Sequence, residues 1–85
     1  MASYSLLIKT SAARELEGLP LKDRGRVTSR IQRLASDPRP AGAEKLSGQE
    51  KYRLRQGNYR ILFSIDDAEL AVVIVKIGLR RDVYR

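Results

Sequence analysis

Apolar and basic residues alternate from Lys51 to Asp66, on both sides of a central Gly57–Asn58 pair. An alternation with a period of two is typical of a half-buried strand, and a Gly-Asn pair favours a two-residue hairpin turn. The pattern therefore predicts two antiparallel strands in which Arg55 lies opposite Arg60. In this register one face of the hairpin is apolar and carries Tyr52, Leu54, Tyr59, Ile61 and Phe63.

The other face of the predicted hairpin is basic and carries Lys51, Arg53, Arg55 and Arg60 together with Leu62. Two like charges directly opposite each other destabilise a strand pair. Because no acidic residue lies between Lys51 and Arg60, we favour the hypothesis that an anion binds this face. The alternative is a basic face that is only solvated and keeps the protein soluble.

The segments before the hairpin predict one strand and two helices. The segment Tyr4–Lys9 predicts a short strand, and its consecutive apolar residues Leu6–Ile8 indicate burial on both faces. A first helix is predicted from a cap at Thr10 or Ser11 to Gly18.

A second helix is predicted from Pro20 or Leu21 to about Ser36, before the Asp37–Pro38 pair that ends it. Apolar residues recur along it at helical spacing, namely Val27, Ile31 and Leu34.

Beyond the hairpin, the apolar run Leu70–Ile77 predicts a strand in the middle of the sheet, covered by the helices on one face. The predicted fold class is therefore α+β: an N-terminal strand, a two-helix hairpin and a three-stranded antiparallel meander. Together they give a four-stranded sheet with the helices on one face. At 85 residues, the chain is expected to form a single domain, residues 1–85.

The composition narrows the range of partners and chemistries. With 17 basic and 10 acidic residues, the formal net charge is +7, which favours polyanionic partners such as nucleic acid or an acidic protein. Cys and His are both missing, so we expect no metal and no cofactor. No signal-peptide pattern and no membrane-length apolar run occur, so we expect a cytoplasmic protein with no membrane partner.

The closing segment Gly78–Arg85 is basic again and contains Arg80, Arg81, Tyr84 and Arg85. A tail that frays in solvent is one interpretation, since chain termini are often poorly ordered. Arg beside an aromatic residue, however, also suits phosphate contact combined with stacking on a base.

The element order, the hairpin sequence Tyr-Arg-Leu-Arg-x-Gly-x-Tyr-Arg and the closing Gly-x-Arg-Arg-x-Val-Tyr together resemble the RelE/ParE superfamily of bacterial toxins from toxin–antitoxin pairs. The resemblance covers almost the whole chain, and the closing sequence is more similar to the RelE branch. It implies a RelE-like fold and an mRNA interferase, a ribosome-dependent endoribonuclease. Such toxins cut mRNA in the ribosomal A site by metal-independent attack of a ribose 2′-OH, and thereby inhibit translation.

Carried over position by position, the resemblance implies catalytic roles for Arg53, Arg55, Arg60, Arg80 and Tyr84. Arg60 and Arg80 would stabilise the phosphorane-like transition state, because fixed arginines act most strongly where negative charge develops. Tyr84 would stack on a base or lie near the 2′-OH. Further contacts to RNA phosphates are expected from Lys51, Arg81 and Arg85.

Two features depart from the family pattern. Some members carry Lys where this chain has Arg53 and Arg55, and Arg is a poor general base because it stays protonated in proteins. Lys51 has the same strand parity and could take that role. Leu79 stands where many relatives carry His. We expect both departures to affect the rate of cleavage and to leave RNA binding intact.

Two alternative functions stay open beside the endoribonuclease. The first is a ParE-like inhibitor of DNA gyrase, for which Arg80 and Tyr84 have no obvious use. The second is a basic nucleic-acid-binding module that cuts nothing.

The resemblance also implies partners: an acidic RelB-like antitoxin, the ribosome with its mRNA, and operator DNA only for the toxin–antitoxin complex. The antitoxin is expected to lie over the helices, and either to cover Arg53, Arg55 and Arg60 or to displace the tail that carries Tyr84.

Overall fold

The computed structural model describes residues 3–46 and 50–80. Within these ranges two helices, α1 (Thr10–Glu17) and α2 (Leu21–Arg33), lie against one sheet. The strands in chain order are β1 (Ser5–Ile8), β2 (Glu44–Lys45), β3 (Lys51–Gln56), β4 (Tyr59–Asp66) and β5 (Ala71–Leu79).

The sheet has the order β1-β5-β4-β3-β2, with β1 parallel to β5 and the other neighbours antiparallel. The α+β class is confirmed, and β5 lies inside the sheet, between β1 and β4, while β4 is the middle strand. Four strands were predicted, and the sheet has five. The additional strand is β2, in which Glu44 and Lys45 pair with Arg53 and Tyr52 at the edge of β3. A two-residue strand has no periodicity that a sequence pattern could reveal.

The register predicted for the hairpin is confirmed. Gln56 pairs with Tyr59 and Arg55 with Arg60, on either side of a two-residue turn at Gly57–Asn58. Gly57 has a φ of +60°, which fits the first central position of a type II′ turn, where glycine is preferred. The turn therefore fixes which residues of β3 and β4 face the same side.

The helices cover one face of the sheet and form the core with it. Val27, Ile31 and Leu34 are buried at the predicted helical spacing. They pack against buried residues of the three long strands, namely Leu54, Ile61, Phe63, Val72, Ile74 and Ile77. The rings of Tyr52 and Phe63 stack across β3 and β4 with their centroids 5.7 Å apart.

A bulge interrupts the pairing of β4 with β5. Phe63 pairs with Ile74 and Leu62 with Lys76, so Val75 is an extra residue without a partner on β4. The buried positions of β5 accordingly change from Val72 and Ile74 before the bulge to Ile77 after it.

Burial of β1 on both faces was predicted and is wrong. The side chains of Leu7 and Ile8 are 55% and 42% exposed. The reason is that β1 lies at the edge of the sheet and the helices cover only one face.

The predicted cap of α1 at Thr10 or Ser11 is also wrong, because Lys9 holds the cap position without a side-chain hydrogen bond. The Lys9 amide donates to the carbonyl oxygen of Ile74, so Lys9 is still extended and the helix begins directly after it. The strand predicted from Leu70 begins at Ala71, because Leu70 adopts a left-handed φ of 52° in the preceding turn.

The predicted end of α2 at about Ser36 differs by a few residues from the observed end at Arg33. The amides of Leu34, Ala35 and Ser36 donate to carbonyl groups three residues earlier, so a tighter turn continues the helix. Neither helix is both long and apolar enough to cross a membrane, within the ranges that the structure describes.

Asp67 joins distant parts of the chain at the β4–β5 turn. Its carboxylate accepts hydrogen bonds from the Tyr4 hydroxyl at 2.7 Å and from both terminal nitrogens of Arg39 at 3.1 and 2.8 Å. The Arg39 Nε also donates to the Tyr52 hydroxyl at 3.2 Å. These bonds connect the N-terminal strand region and the loop after α2 to the sheet.

Replacing the core aromatic residue should destabilise the fold strongly. We expect Phe63→Ala to lower the free energy of unfolding by about 3–5 kcal/mol, because a fully buried ring is removed from the core. Urea denaturation measures the loss, and Phe63→Leu serves as a milder variant if the alanine variant does not fold. Leu21→Ala, at a side chain 77% exposed, should change stability by less than about 0.5 kcal/mol. Equal losses in Phe63→Leu and Leu21→Ala would contradict the core assignment.

Candidate nucleic-acid interface

The sheet face opposite the helices carries the arginines that the sequence analysis singled out. Arg53 and Arg55 alternate with the buried residues of β3, and Arg60 does so on β4. Arg60 lies between Arg55 on one side and Gly78 of β5 on the other. Because Gly78 has no side chain, the row across the sheet is open beside Arg60.

Glu44 of β2 adds a carboxylate to this basic face. The sequence pattern predicted the face but not this carboxylate. Its Oε2 accepts hydrogen bonds from Arg53 at 2.5 and 3.2 Å. The Arg53 guanidinium holds the pKa of the Glu44 carboxyl below its usual range, and the charges of Arg60 and Arg55 act in the same direction. Arg53 is thereby oriented by a carboxylate, while Arg55 makes no ion pair with any residue that the structure describes.

Arg80 is brought to the same region by a backbone hydrogen bond. Its amide donates to the carbonyl oxygen of Asn58, in the hairpin turn, at 2.9 Å. Arg60 and Arg80 line one depression of about 510 Å³ together with Asn58 and Leu79. The end of β5 is thus tied to the tip of the β3–β4 hairpin, so two distant segments supply the two arginines.

Arg60 also lines a second depression, of about 280 Å³, on the β2 side. The other residues around it are Gly42, Glu44, Arg53 and Arg55. The structure therefore brings Arg53, Arg55, Arg60 and Arg80 together around two adjoining depressions. Electrostatically, this face is suited to a phosphate-bearing ligand.

A hydrogen bond between Tyr59 and Asp23 holds the hairpin against α2. The Tyr59 hydroxyl donates to the Asp23 carboxylate at 2.9 Å, and this bond raises the pKa of the Tyr59 hydroxyl. Tyr59 directly precedes Arg60, so the contact fixes the strand at the point where the arginine leaves it. The tertiary pairing joins positions that are 36 residues apart, and no local sequence pattern indicates it.

The end of β5 has its own support from α1. Glu15 accepts a hydrogen bond from the Ile77 amide at 3.1 Å and pairs with Lys76 at 3.2 Å. Ile77 lies beyond the part of β5 that pairs with β1, so the side chain satisfies an amide that lacks a strand partner on that side.

Of the remaining predicted site residues, the structure describes Lys51 alone. Lys51 lies on β3, two residues before Arg53 and on the same face. It is exposed and pairs with Ser64 of β4. Arg81, Tyr84 and Arg85 lie outside the described residues, so their predicted roles stay predictions. In residues 3–46 and 50–80, no group of three acidic side chains is placed to hold a metal ion.

Comparison with known proteins places this arrangement in a family. A sequence model of the family described as "ParE toxin of type II toxin-antitoxin system" matches residues 6–84. The chain belongs to the RelE/ParE superfamily of toxins. The superfamily assignment predicted from the hairpin and tail sequences is therefore confirmed.

Individual RelE/ParE proteins are similar to this chain over nearly its whole length. Toxin RelG of Mycobacterium tuberculosis is 33% identical, with 96% of this chain and 97% of RelG covered. The toxin–antitoxin complex RelBE2 of the same organism contains a chain with 28% identity and a TM-score of 0.81, with 92% and 99% of the two chains covered. The archaeal RelE–RelB complex of Pyrococcus horikoshii OT3 gives 25% identity and a TM-score of 0.84, with 95% and 99% covered.

The contact of Glu44 with Arg53 in this RelE/ParE toxin should be visible in the acid titration. Arg53→Gln should move the NMR titration midpoint of the Glu44 carboxyl upward, because the principal cause of its lowered pKa is removed. Since the folded-state pKa is depressed, the contact stabilises the fold above the usual carboxyl pKa. That stabilisation is lost as the pH falls through the folded-state pKa.

Arg55→Gln is the matched control for this titration, because Arg55 acts on Glu44 only through its charge at a distance. It should move the midpoint in the same direction but less. A larger shift in Arg55→Gln than in Arg53→Gln would contradict the observed ion pair.

Proposed function

We propose that the protein is a RelE-like mRNA interferase, which enters the ribosomal A site and cleaves mRNA there. The observation that carries the proposal is the convergence of Arg55, Arg60 and Arg80 on the uncovered face of the sheet. Their positive charges are assembled by a strand register and a backbone hydrogen bond. A phosphodiester in this place would meet donors that are already oriented.

The proposed reaction is an attack of a ribose 2′-oxygen on the adjacent phosphorus. A bond forms between the 2′-oxygen and phosphorus, and the bond from phosphorus to the 5′-oxygen of the next nucleotide breaks. The products are a 2′,3′-cyclic phosphate and a free 5′-hydroxyl end. The 2′-OH loses a proton and the leaving 5′-oxygen gains one, so no net charge is created.

Arg60 and Arg80 are the proposed stabilisers of the transition state. The phosphorane carries more negative charge on its non-bridging oxygens than the ground state does, so fixed guanidinium groups lower the barrier. Arg53 and Arg55 would bind the flanking phosphates. Arg53 is held by Glu44, which makes it a positioned contact.

The proposed reaction also needs a general base and a proton donor. Lys51 is the proposed general base, because it lies on the same face of β3 as Arg53 and Arg55 and lysine can serve as a general base, whereas arginine stays protonated. The leaving oxygen would take its proton from an arginine or from a ribosomal group. Tyr84 is proposed to stack on a base near the cut, and Arg81 and Arg85 to contact phosphates.

We further propose an acidic RelB-like antitoxin as the physiological partner. Relatives of this chain have been crystallised as RelE–RelB complexes. The side of the molecule formed by β1, α1 and α2 offers an apolar depression of about 120 Å³, bordered by exposed Leu7 and Ile8, which suits an apolar segment of such a partner. The toxin–antitoxin complex, through the antitoxin, would bind operator DNA.

A ParE-like inhibition of DNA gyrase is the second candidate, because the matching family is described by its ParE members. In that function the arginine face would bind without chemistry. The two candidates differ in the role of Arg80, which the interferase needs at the scissile phosphate.

Primer extension on a defined message in purified translating ribosomes tests the proposal. We expect cuts confined to the A-site codon, with rates reduced about 100–1,000-fold in Arg60→Ala and Arg80→Ala, because each removes a transition-state donor. Tyr84→Ala should also reduce the rate. Arg14→Ala, at an exposed position of α1, is the matched control and should cut like the wild type.

Cuts that persist at the wild-type rate in Arg60→Ala and Arg80→Ala would refute the site assignment while leaving the activity. No cuts from correctly folded wild-type protein would refute the interferase. A supercoiling assay would then separate gyrase inhibition from simple nucleic-acid binding.

A further inference from the structure

The outer surface of α2 carries a stripe of polar and basic residues that the proposed reaction does not use. Lys22, Arg26, Ser29 and Arg33 follow one another at intervals of four, three and four residues, and all four are exposed. This spacing places them on one side of a helix. We call these four residues the α2 stripe, and at 1.5 Å per residue it is about 16 Å long.

The α2 stripe borders a depression that leads towards the hairpin. All four of its residues line a volume of about 580 Å³, which extends to Gln56 at the end of β3. A second depression, of about 170 Å³, shares Arg26 and Gln56 with the first and reaches Asn58. Because they share these residues, the two depressions adjoin.

Asn58 connects this surface to the arginine face. It lines both the second depression and the one that contains Arg60 and Arg80. The surface depressions therefore continue from α2, around the Gly57–Asn58 turn, to the proposed site of cleavage. We call this connected surface the hairpin groove.

The charge along the hairpin groove is strongly one-sided. Among the described residues that line it, Asp23 is the single acid, and its carboxylate accepts the hydrogen bond from Tyr59. The basic residues are Lys22, Arg26, Arg33, Arg60 and Arg80. A groove of this kind attracts a polyanion along its whole length.

The lining favours a nucleic-acid backbone over a protein segment. Its part along α2 contains one large exposed apolar side chain, Leu21, among basic and small residues. A protein segment that folds on binding needs apolar anchors at regular spacing, and the apolar depression beside β1 offers them instead.

We propose that the hairpin groove binds a single RNA strand that continues from the cleavage site, with the α2 stripe holding its phosphates. The inference rests on the proposed function in one respect, namely that RNA is the polyanion at the arginine face. It adds a second, non-catalytic contact surface on the opposite layer of the molecule. Binding should therefore strengthen with the length of the strand.

The experiment measures binding of 2′-O-methyl RNA strands of three and twelve nucleotides by fluorescence anisotropy, without ribosomes. Methylation blocks the 2′-OH, so binding is read without cutting. The wild type should prefer the longer strand, and Arg26→Gln/Arg33→Gln should weaken binding of that strand roughly tenfold at low salt while leaving the short one unchanged. The slope of log affinity against log salt should fall by about 1.4, since each single-strand phosphate contact contributes about 0.7.

Lys9→Gln/Arg14→Gln is the matched control, because it removes the same charge from exposed positions that line none of these depressions. It should keep both the length preference and most of the salt slope. Equal weakening in the two double variants would mean that affinity depends only on the net charge of the protein, and would overturn the proposal.

Two other outcomes would also overturn it. One is a wild type that binds both strand lengths equally. The other is a stripe variant that loses affinity for oligoglutamate but not for RNA, which would assign the α2 stripe to an acidic protein. The binding assay involves no cutting, so it separates the two proposals. If the wild type prefers the longer strand, the stripe variant loses that preference, and the wild type does not cleave on ribosomes, the interferase is refuted and the groove is supported.

Discussion

The register of the β3–β4 hairpin determines most of what the molecule offers to a partner. The two-residue turn at Gly57–Asn58 sets Arg55 opposite Arg60 and Leu54 opposite Ile61, so one register supplies both the core face and the arginine face. A slip of one residue would exchange these faces and bury the arginines. The same turn provides the carbonyl oxygen that receives the Arg80 amide, so the third arginine depends on it as well.

The arginine pair across the hairpin is unfavourable by itself, and the surrounding structure limits its cost. Glu44 supplies a negative charge at the edge of the sheet and binds Arg53, while its charge also acts on Arg55 and Arg60. The face keeps a positive excess, because one carboxylate stands among several guanidinium groups. Placing like charges together in this way is common where a ligand, and not the fold, benefits from them.

The hydrophobic pattern predicted the parts of the fold that local periodicity determines. The hairpin register, the buried stripe of α2 and the interior strand β5 follow from it. The exposure of Leu7 and Ile8 does not, because an apolar residue carries no sign of whether its strand lies at an edge. The same holds for β2, whose pairing is set by the hairpin beside it.

The candidate site was predictable in part for the same reason. Arg53, Arg55 and Arg60 share a face through strand parity alone. The contributions of Glu44, Asp23 and Glu15 could not be predicted, since each is a tertiary contact to a residue on another element. Family resemblance indicated Arg80, and a long-range backbone bond explains its position.

The unpaired Val75 in β5 reverses which residues face the helices in the last part of the strand. Upstream of it the even-numbered residues face the helices, and downstream Ile77 does, which leaves Gly78 on the open side next to Arg60. Removal of this one residue would turn every later side chain of the strand to the other face. The arginine face therefore depends on the number of residues in β5, because one residue more or fewer at this point would reverse the end of the strand. Val75 has this effect although it has no partner on β4.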